Sequence, residues 1–307
     1  MNFGESFLSN PDLFPARQTG ETWGDEQVVI QFAGNDYICA GMSATQAAAV
    51  RERFGPMCAA APQSPRPSVV LTAFRAADAD FVSDERVWEF DFDLDYAPDA
   101  VSFAGFHFMG RLDWLPRLQA ALWSPEDERL VSHAIFENVL RVVAAYHLLE
   151  QGGLLLHSAA VADATGADIF FGPSGAGKST ISRLGHDAGR RVLSDDMNAL
   201  RATPTGVVVE KLPFAGDFGQ TTESAGVDFQ VRGLYHLQQG PRHEVAPMSR
   251  ARAVAALLGC APFVNRNPFR YDELVRKLQD LNARLPVRVL TFSPEPSLWG
   301  LLDGQRK

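Results

Sequence analysis

The chain is poor in cysteine, poor in lysine and without a long apolar run. Its three cysteines, Cys39, Cys58 and Cys260, are odd in number and far apart, which argues against a disulfide framework and against a zinc cluster. Lysine occurs four times against 24 arginines, and acids outnumber bases, leaving a net charge of -9. That balance speaks against a general nucleic-acid or anionic-membrane binder and leaves room only for a local basic cleft. No apolar stretch approaches the ~18 residues of a membrane span. The N-terminus lacks a basic segment followed by an apolar one, so no secretory signal is read and the protein is expected in the reducing cytoplasm. What remains is an ordinary globular composition, 46% hydrophobic over 307 residues. That is core enough for one large or two medium domains.

Charge divides the chain. Residues 1–150 carry no lysine and a net charge of -12, whereas residues 151–307 carry +3. The asymmetry hints at two domains, although acids that merely solvate a surface would give the same pattern. The first half reads as β-rich. Val28–Phe32 and Tyr37–Cys39 flank a turn-prone Gly34-Asn35-Asp36, a hairpin signal. Ser43 is placed to cap a short helix that runs to Phe54 and stops at Gly55-Pro56. Residues 55–67 read as a Pro- and Ala-rich loop, and Ser68–Phe74 as a strand. Trp88–Asp95 alternates apolar and acidic residues, as in a half-buried strand. Its acidic face is either solvated or a dock for a basic peptide, and is too extended to ligate one metal ion. Ser124-Pro125-Glu126-Asp127 has the chemistry of a helix start and opens an apolar helix predicted to end at Gly152-Gly153. The domain boundary is placed here, giving a β-rich domain over 1–123, suited to partner or substrate recognition, and a second domain over 124–307.

The second half carries the chemistry. Leu154–Val161 and Ile169–Phe171 read as a hairpin turning at Asp163–Gly166. It runs into Gly172-Pro173-Ser174-Gly175-Ala176-Gly177-Lys178-Ser179-Thr180, a complete G-x-x-x-x-G-K-[ST] phosphate loop. Backbone N–H groups of such a loop and of the helix it opens form a positive cup for phosphate oxygens. Lys178 would neutralise the β- and γ-phosphates, and the Ser179 hydroxyl would ligate Mg²⁺. A short helix, a reversal at Ala188–Arg191 and the strand Val192-Leu193 then lead to Asp195-Asp196, the first acid falling 17 residues after the lysine. Adjacent carboxylates at a strand end point different ways, so one can face a metal and the other an incoming hydroxyl.

His157 on a strand, the phosphate loop opening at Gly172 and the pair Asp195-Asp196 follow in an order and spacing that resembles the HPr kinase/phosphorylase family, whose fold is shared with phosphoenolpyruvate carboxykinases. The resemblance covers about residues 154–200, and more loosely Val231-Arg232-Gly233-Leu234, similar to the family's E-x-R-G-x-G strand. It implies an α/β (α+β) carboxykinase-like kinase domain behind the β-rich one. It also implies Asp195 as general base, Asp196 as Mg²⁺-side carboxylate (the two roles could be exchanged), and His157 as an active-site residue that orients the acid and phosphate. The alternative for His157 is a satisfied histidine near a strand end. Arg232, beside the site on its strand, is a candidate for stabilising the transferred phosphoryl group, or else one half of an ion pair. Two departures stand out. Gln230, whose amide is a weaker metal ligand than a carboxylate, replaces the family's glutamate, with Glu223 and Asp228 the candidates to compensate, and Tyr235 replaces the second glycine. No counterpart of the family's later arginine-bearing segment is seen, so phosphorylase activity and the HPr substrate are not expected.

Elsewhere, Leu212–Gly226 reads as a loop over the site, a lid or a plain surface loop. Met248–Cys260 and Tyr271–Leu285 read as amphipathic helices, and Val287–Phe292 as a closing strand. Arg266 and Arg270 flank Asn267-Pro268-Phe269, an acid-binding or simply solvated loop. The expectation is an ATP- and Mg²⁺-dependent kinase of a hydroxyl, foremost serine in a peptide or small protein, with homo-oligomerisation left open and neither nucleic acid nor membrane as partner. The rival readings are a non-catalytic nucleotide-dependent adaptor, to which Gln230 lends support, and a kinase of a free small molecule such as an amino acid. Carboxykinase chemistry on oxaloacetate is disfavoured, because no carboxylate-binding set stands out.

Overall fold

The computed structural model describes residues 20–76, 92–105, 108–124, 134–214, 216 and 227–305. It is a mixed α and β protein with six α-helices among the described residues, none long and apolar enough to cross a membrane. The chain divides into two compact units between His147 and Leu148. This falls later than the boundary expected at 123/124. The division runs inside helix α2 (Ala134–Glu150) rather than at its start.

In the first unit, β1 (Glu26–Phe32) and β2 (Asn35–Met42) form the expected hairpin. Its two-residue turn is Ala33-Gly34, both at positive φ (52° and 70°), the twist that suits a tight hairpin. The predicted turn residues Asn35 and Asp36 belong to β2 instead. Asp36 is buried because it works as an acceptor: its carboxylate takes hydrogen bonds from Gln31 Nε2, Gln63 N and Ser64 N at 2.6–2.8 Å, tying the Pro-rich loop to the sheet. Helix α1 (Ala44–Phe54) starts at Ser43 in a full capping box with Gln46. The remaining strands are β3 (Cys58–Ala59), β4 (Val69–Arg75), β5 (Phe92–Tyr96), β6 (Ala100–Gly105), β7 (Phe108–Asp113) and β8 (Gln119–Ser124). They complete one eight-stranded sheet in the order β3-β1-β2-β4-β8-β7-β6-β5. Ser124 is therefore the last residue of β8, paired with Arg75. Pro125–Asp127 and Leu130 lie outside the described residues, as do Trp88–Asp91 of the alternating acidic segment.

In the second unit, β9 (Gly153–Asp163) and β10 (Gly166–Phe171) form the predicted hairpin. Helix α3 (Lys178–Asp187) then crosses to β11 (Arg191–Ser194), which pairs with β9 on its other side. Both β10 and β11 are antiparallel to β9, hence parallel to each other. The strand–loop–helix–strand crossover thus puts the ends of β10 and β11 at one end of the sheet. The hairpin β12 (Met197–Thr203) and β13 (Gly206–Glu210) follows, then the long β14 (Asp228–Gln239), β15 (Glu244–Pro247) and β16 (Val287–Phe292). Pairings β10-β9-β12-β13-β14-β10 close into a circuit, because β9 and β14 each pair with three strands, two of them members of the circuit. Strand β14 runs parallel to β10 and to β16. Helix α4 (Arg250–Gly259), helix α5 (Tyr271–Arg284) and the unforeseen helix α6 (Leu298–Gly304) complete the unit. Phe170, Tyr235, Ile181, Leu290, Phe292, Leu298 and Trp299 form a buried cluster that fixes α3 and α6. The Trp299 indole donates to Leu184 O at 3.0 Å.

Candidate functional site

The crossover assembles a cleft at the ends of β10 and β11. About 460 Å³ in volume, it is lined by His157, Ser174, Gly175, Gly177, Lys178, Ser179, Thr180, Asp195, Asp196, Gly216 and Gln239. Six of the nine phosphate-loop residues, the acidic pair and His157 of the preceding strand thus line one space, and Gly172, Pro173 and Ala176 do not. Gly175 and Gly177 take φ of 77° and 107°, which L side chains rarely adopt. A Cβ on Gly177 would also come within 2.5 Å of the Phe292 ring. Helix α3 begins at Lys178 with Gly177 as its N-cap and no capping side chain, so its first amides remain available as donors toward the cleft.

Lys178 is buried, and its ammonium donates to Gly172 O at 3.3 Å. Burial pushes its pKa down, against the pull of the Cys260 thiol and the Asp196 carboxylate. The Cys260 thiol donates to the same Gly172 carbonyl at 3.8 Å. Burial pushes this thiol up, and Lys178 pulls it back.

The acidic turn is held by buried polar groups. Ser194 Oγ accepts from Asp196 N and Met197 N, both at 3.1 Å. Ser158 N donates to Asp196 O at 2.9 Å. Asn198, fully buried, donates to Ser158 O at 2.6 Å. Asp195 is buried and Asp196 partly exposed, with Asp196 Oδ1 3.6 Å from His157 Nε2. His157 is itself placed by a backbone bond from its N–H to Cys260 O, 2.7 Å. Gly216 packs so closely on the pair that a Cβ there would overlap the Asp195 carboxylate. Of the expected loop Leu212–Gly226, only Leu212–Phe214 and Gly216 are described, and Glu223 is not.

Arg232 is not part of this cleft. Register pairs Ala167 with Val231 and Phe171 with His236, so Arg232 sits at the entry end of β10 and the phosphate loop at its exit. Its guanidinium donates to Asp163 Oδ1 (2.5 Å), to Thr165 and to Asp168 Oδ2 (3.1 Å). Burial would raise the Asp163 carboxyl, but the hydrogen bonds from Arg232 and Thr165 outweigh it and hold the group well below the usual carboxylate range. The catalytic expectation for Arg232 gives way to its alternative, an ion pair. Gln230 lies beyond it, donating to Val207 O at 3.0 Å, and Asp228 pairs with Arg201 at 2.5 Å. Neither lines the cleft. Arg270 is likewise committed, to Glu150 and Glu273.

Gly216 belongs to the loop expected over the site, whereas Gln239, Cys260 and the Ser158–Asn198–Ser194 set escaped the sequence reading. No motif marks them, and only the long-range register brings them to the strand ends. Among the described residues no group of three or more His, Cys, Asp or Glu side chains could hold a metal ion. Side chains with oxygen atoms in the cleft lining are those of Ser174, Ser179, Thr180, Asp195, Asp196 and Gln239. The chain matches no protein-family model and none of the curated proteins.

Proposed function

We propose that the protein is an ATP- and Mg²⁺-dependent kinase that transfers the γ-phosphoryl group to a hydroxyl, foremost serine of a peptide or small protein, on a carboxykinase-like domain resembling HPr kinase. The observation that carries this reading is the meeting of Lys178, Ser179, His157 and both acids in one cleft. Loop amides and the Lys178 ammonium bind the phosphates, in a buried setting where their charge counts for more than in water. The substrate hydroxyl gives its proton to the Asp195 carboxylate as its oxygen attacks the γ-phosphorus. The bond from that phosphorus to the β–γ bridging oxygen breaks, and ADP leaves. His157, beside Asp196, keeps that carboxylate turned into the cleft. Ser179 and Asp196 are hard oxygen donors of the kind Mg²⁺ takes together with phosphate oxygens, and the ion held there would neutralise charge on the β- and γ-phosphates.

The adaptor reading drew its support from Gln230, and Gln230 lies away from the cleft. Labelled ATP offered with candidate hydroxyl-bearing peptides tests the proposal. Wild type should move label to peptide, and Asp195→Asn should bind ATP but transfer at least about a hundredfold more slowly, the scale of a lost general base. Full transfer by Asp195→Asn would refute the base assignment.

A further inference from the structure

A phosphate loop must hold its amides converged while carrying glycines that can swing into other backbone basins. Here the hold comes from outside the loop. Gln239 ends β14, and its Nε2 donates to Gly175 O at 2.7 Å. The N–H on the far side of the same peptide plane, that of Ala176, donates to Pro173 O at 3.1 Å. The Gly175–Ala176 peptide is therefore pinned at both ends. Gln239's register partner on β16 is Phe292, the residue whose ring packs against Gly177. One strand pair thus meets both positive-φ glycines of the loop.

We infer that Gln239 is a positioning residue for the phosphate loop, holding it in the anion-binding conformation so that a triphosphate does not have to select a minor state. The inference rests on reading the cleft as a triphosphate site. When only a fraction of molecules is binding-competent, apparent affinity falls by that fraction. Removing the amide should therefore weaken nucleotide binding without disturbing the fold, since Gln239 is exposed at a strand end.

The test uses the full chain with MgATP as probe. Gln239→Met keeps the length and removes the donor. It should bind MgATP about tenfold more weakly, the scale of one hydrogen bond, with an unchanged melting temperature. Hydrogen exchange should quicken at residues 172–177 and stay as in wild type through β9 and α5. Gln239→Glu, which sets a carboxylate against the Gly175 carbonyl, should lose more. Wild-type affinity and wild-type loop exchange in Gln239→Met would overturn the positioning role alone. Exchange quickened across the whole unit, with a lower melting temperature, would overturn it in favour of a general structural role. Failure of the wild type to bind MgATP would instead overturn the triphosphate reading, and this inference with it.

Discussion

Gly216 and Arg232 separate the chemistry of the site from the stability of its scaffold. The Gly216 backbone lies where any side chain would overlap the Asp195 carboxylate. Gly216→Ala should therefore shift the acid and lower phosphoryl transfer about a hundredfold, the cost of a displacement near 1 Å, while MgATP affinity stays within a few-fold of wild type. Transfer kinetics beside a nucleotide titration check both halves. Arg232→Ala should do the reverse. It removes the guanidinium shared by Asp163 and the buried Asp168, so the expected loss is about 3 kcal/mol in denaturant unfolding, with nucleotide affinity unchanged. A variant that folds as stably as wild type but no longer transfers phosphate would return Arg232 to the chemistry. The sequence left both readings of this arginine open. What decides between them is the parallel register of β10 and β14, which no local pattern encodes.

The crossover from β10 through α3 to β11 was legible because each piece has a local signature. The strand is apolar, the loop glycines meet a steric need, and the helix is short between clear stops. The hairpin of β12 and β13 was not legible. Asn198 interrupts the alternation of β12 with a polar residue that is nonetheless fully buried, because its amide bonds to Ser158. Seven-residue α6 is too short to show a helical period. The buried polar set is also where the acidic turn is most vulnerable. Asn198→Ala leaves the Ser158 carbonyl without that donor and should destabilise the protein by about 1–3 kcal/mol. Asn198→Ser, which keeps a hydroxyl donor, should slow transfer less than Asn198→Ala, and Asn198→Asp, which sets a carboxylate against the Ser158 carbonyl, should slow it more, since the turn bearing Asp195 hangs on β9 through Ser158. Unfolding curves and transfer rates across the three variants test this.

Across the whole molecule, each unit carries a histidine whose pKa burial pushes down. His147, buried in the first unit against Tyr37, has its pKa pushed down to about 4 by burial and by Arg66. The unfolded chain binds that proton near pH 6.5 and the folded unit does not. Stability therefore falls as pH drops from about 6.5 to 4, by up to about 3 kcal/mol. Asp163 in the second unit has a depressed pKa, so its contribution holds above the ordinary carboxylate range and is lost only as pH falls through the folded value. His236 in the second unit is likewise pushed down, by burial and by Arg252, so both units weaken over this range; thermal unfolding followed from pH 7 to 4 should show His147→Phe flattening the first unit's share of the loss. The second unit carries the claim on which the functional account stands, that a triphosphate ends beside the acidic pair. A crystal structure with Mg²⁺ and a non-hydrolysable ATP analogue tests it most directly. The γ-phosphorus should be held by Lys178 and the loop amides, close enough to Asp195 for a single hydroxyl oxygen to bridge them. An analogue bound elsewhere, or with its γ-phosphate turned away from Asp195 and Asp196, would contradict it.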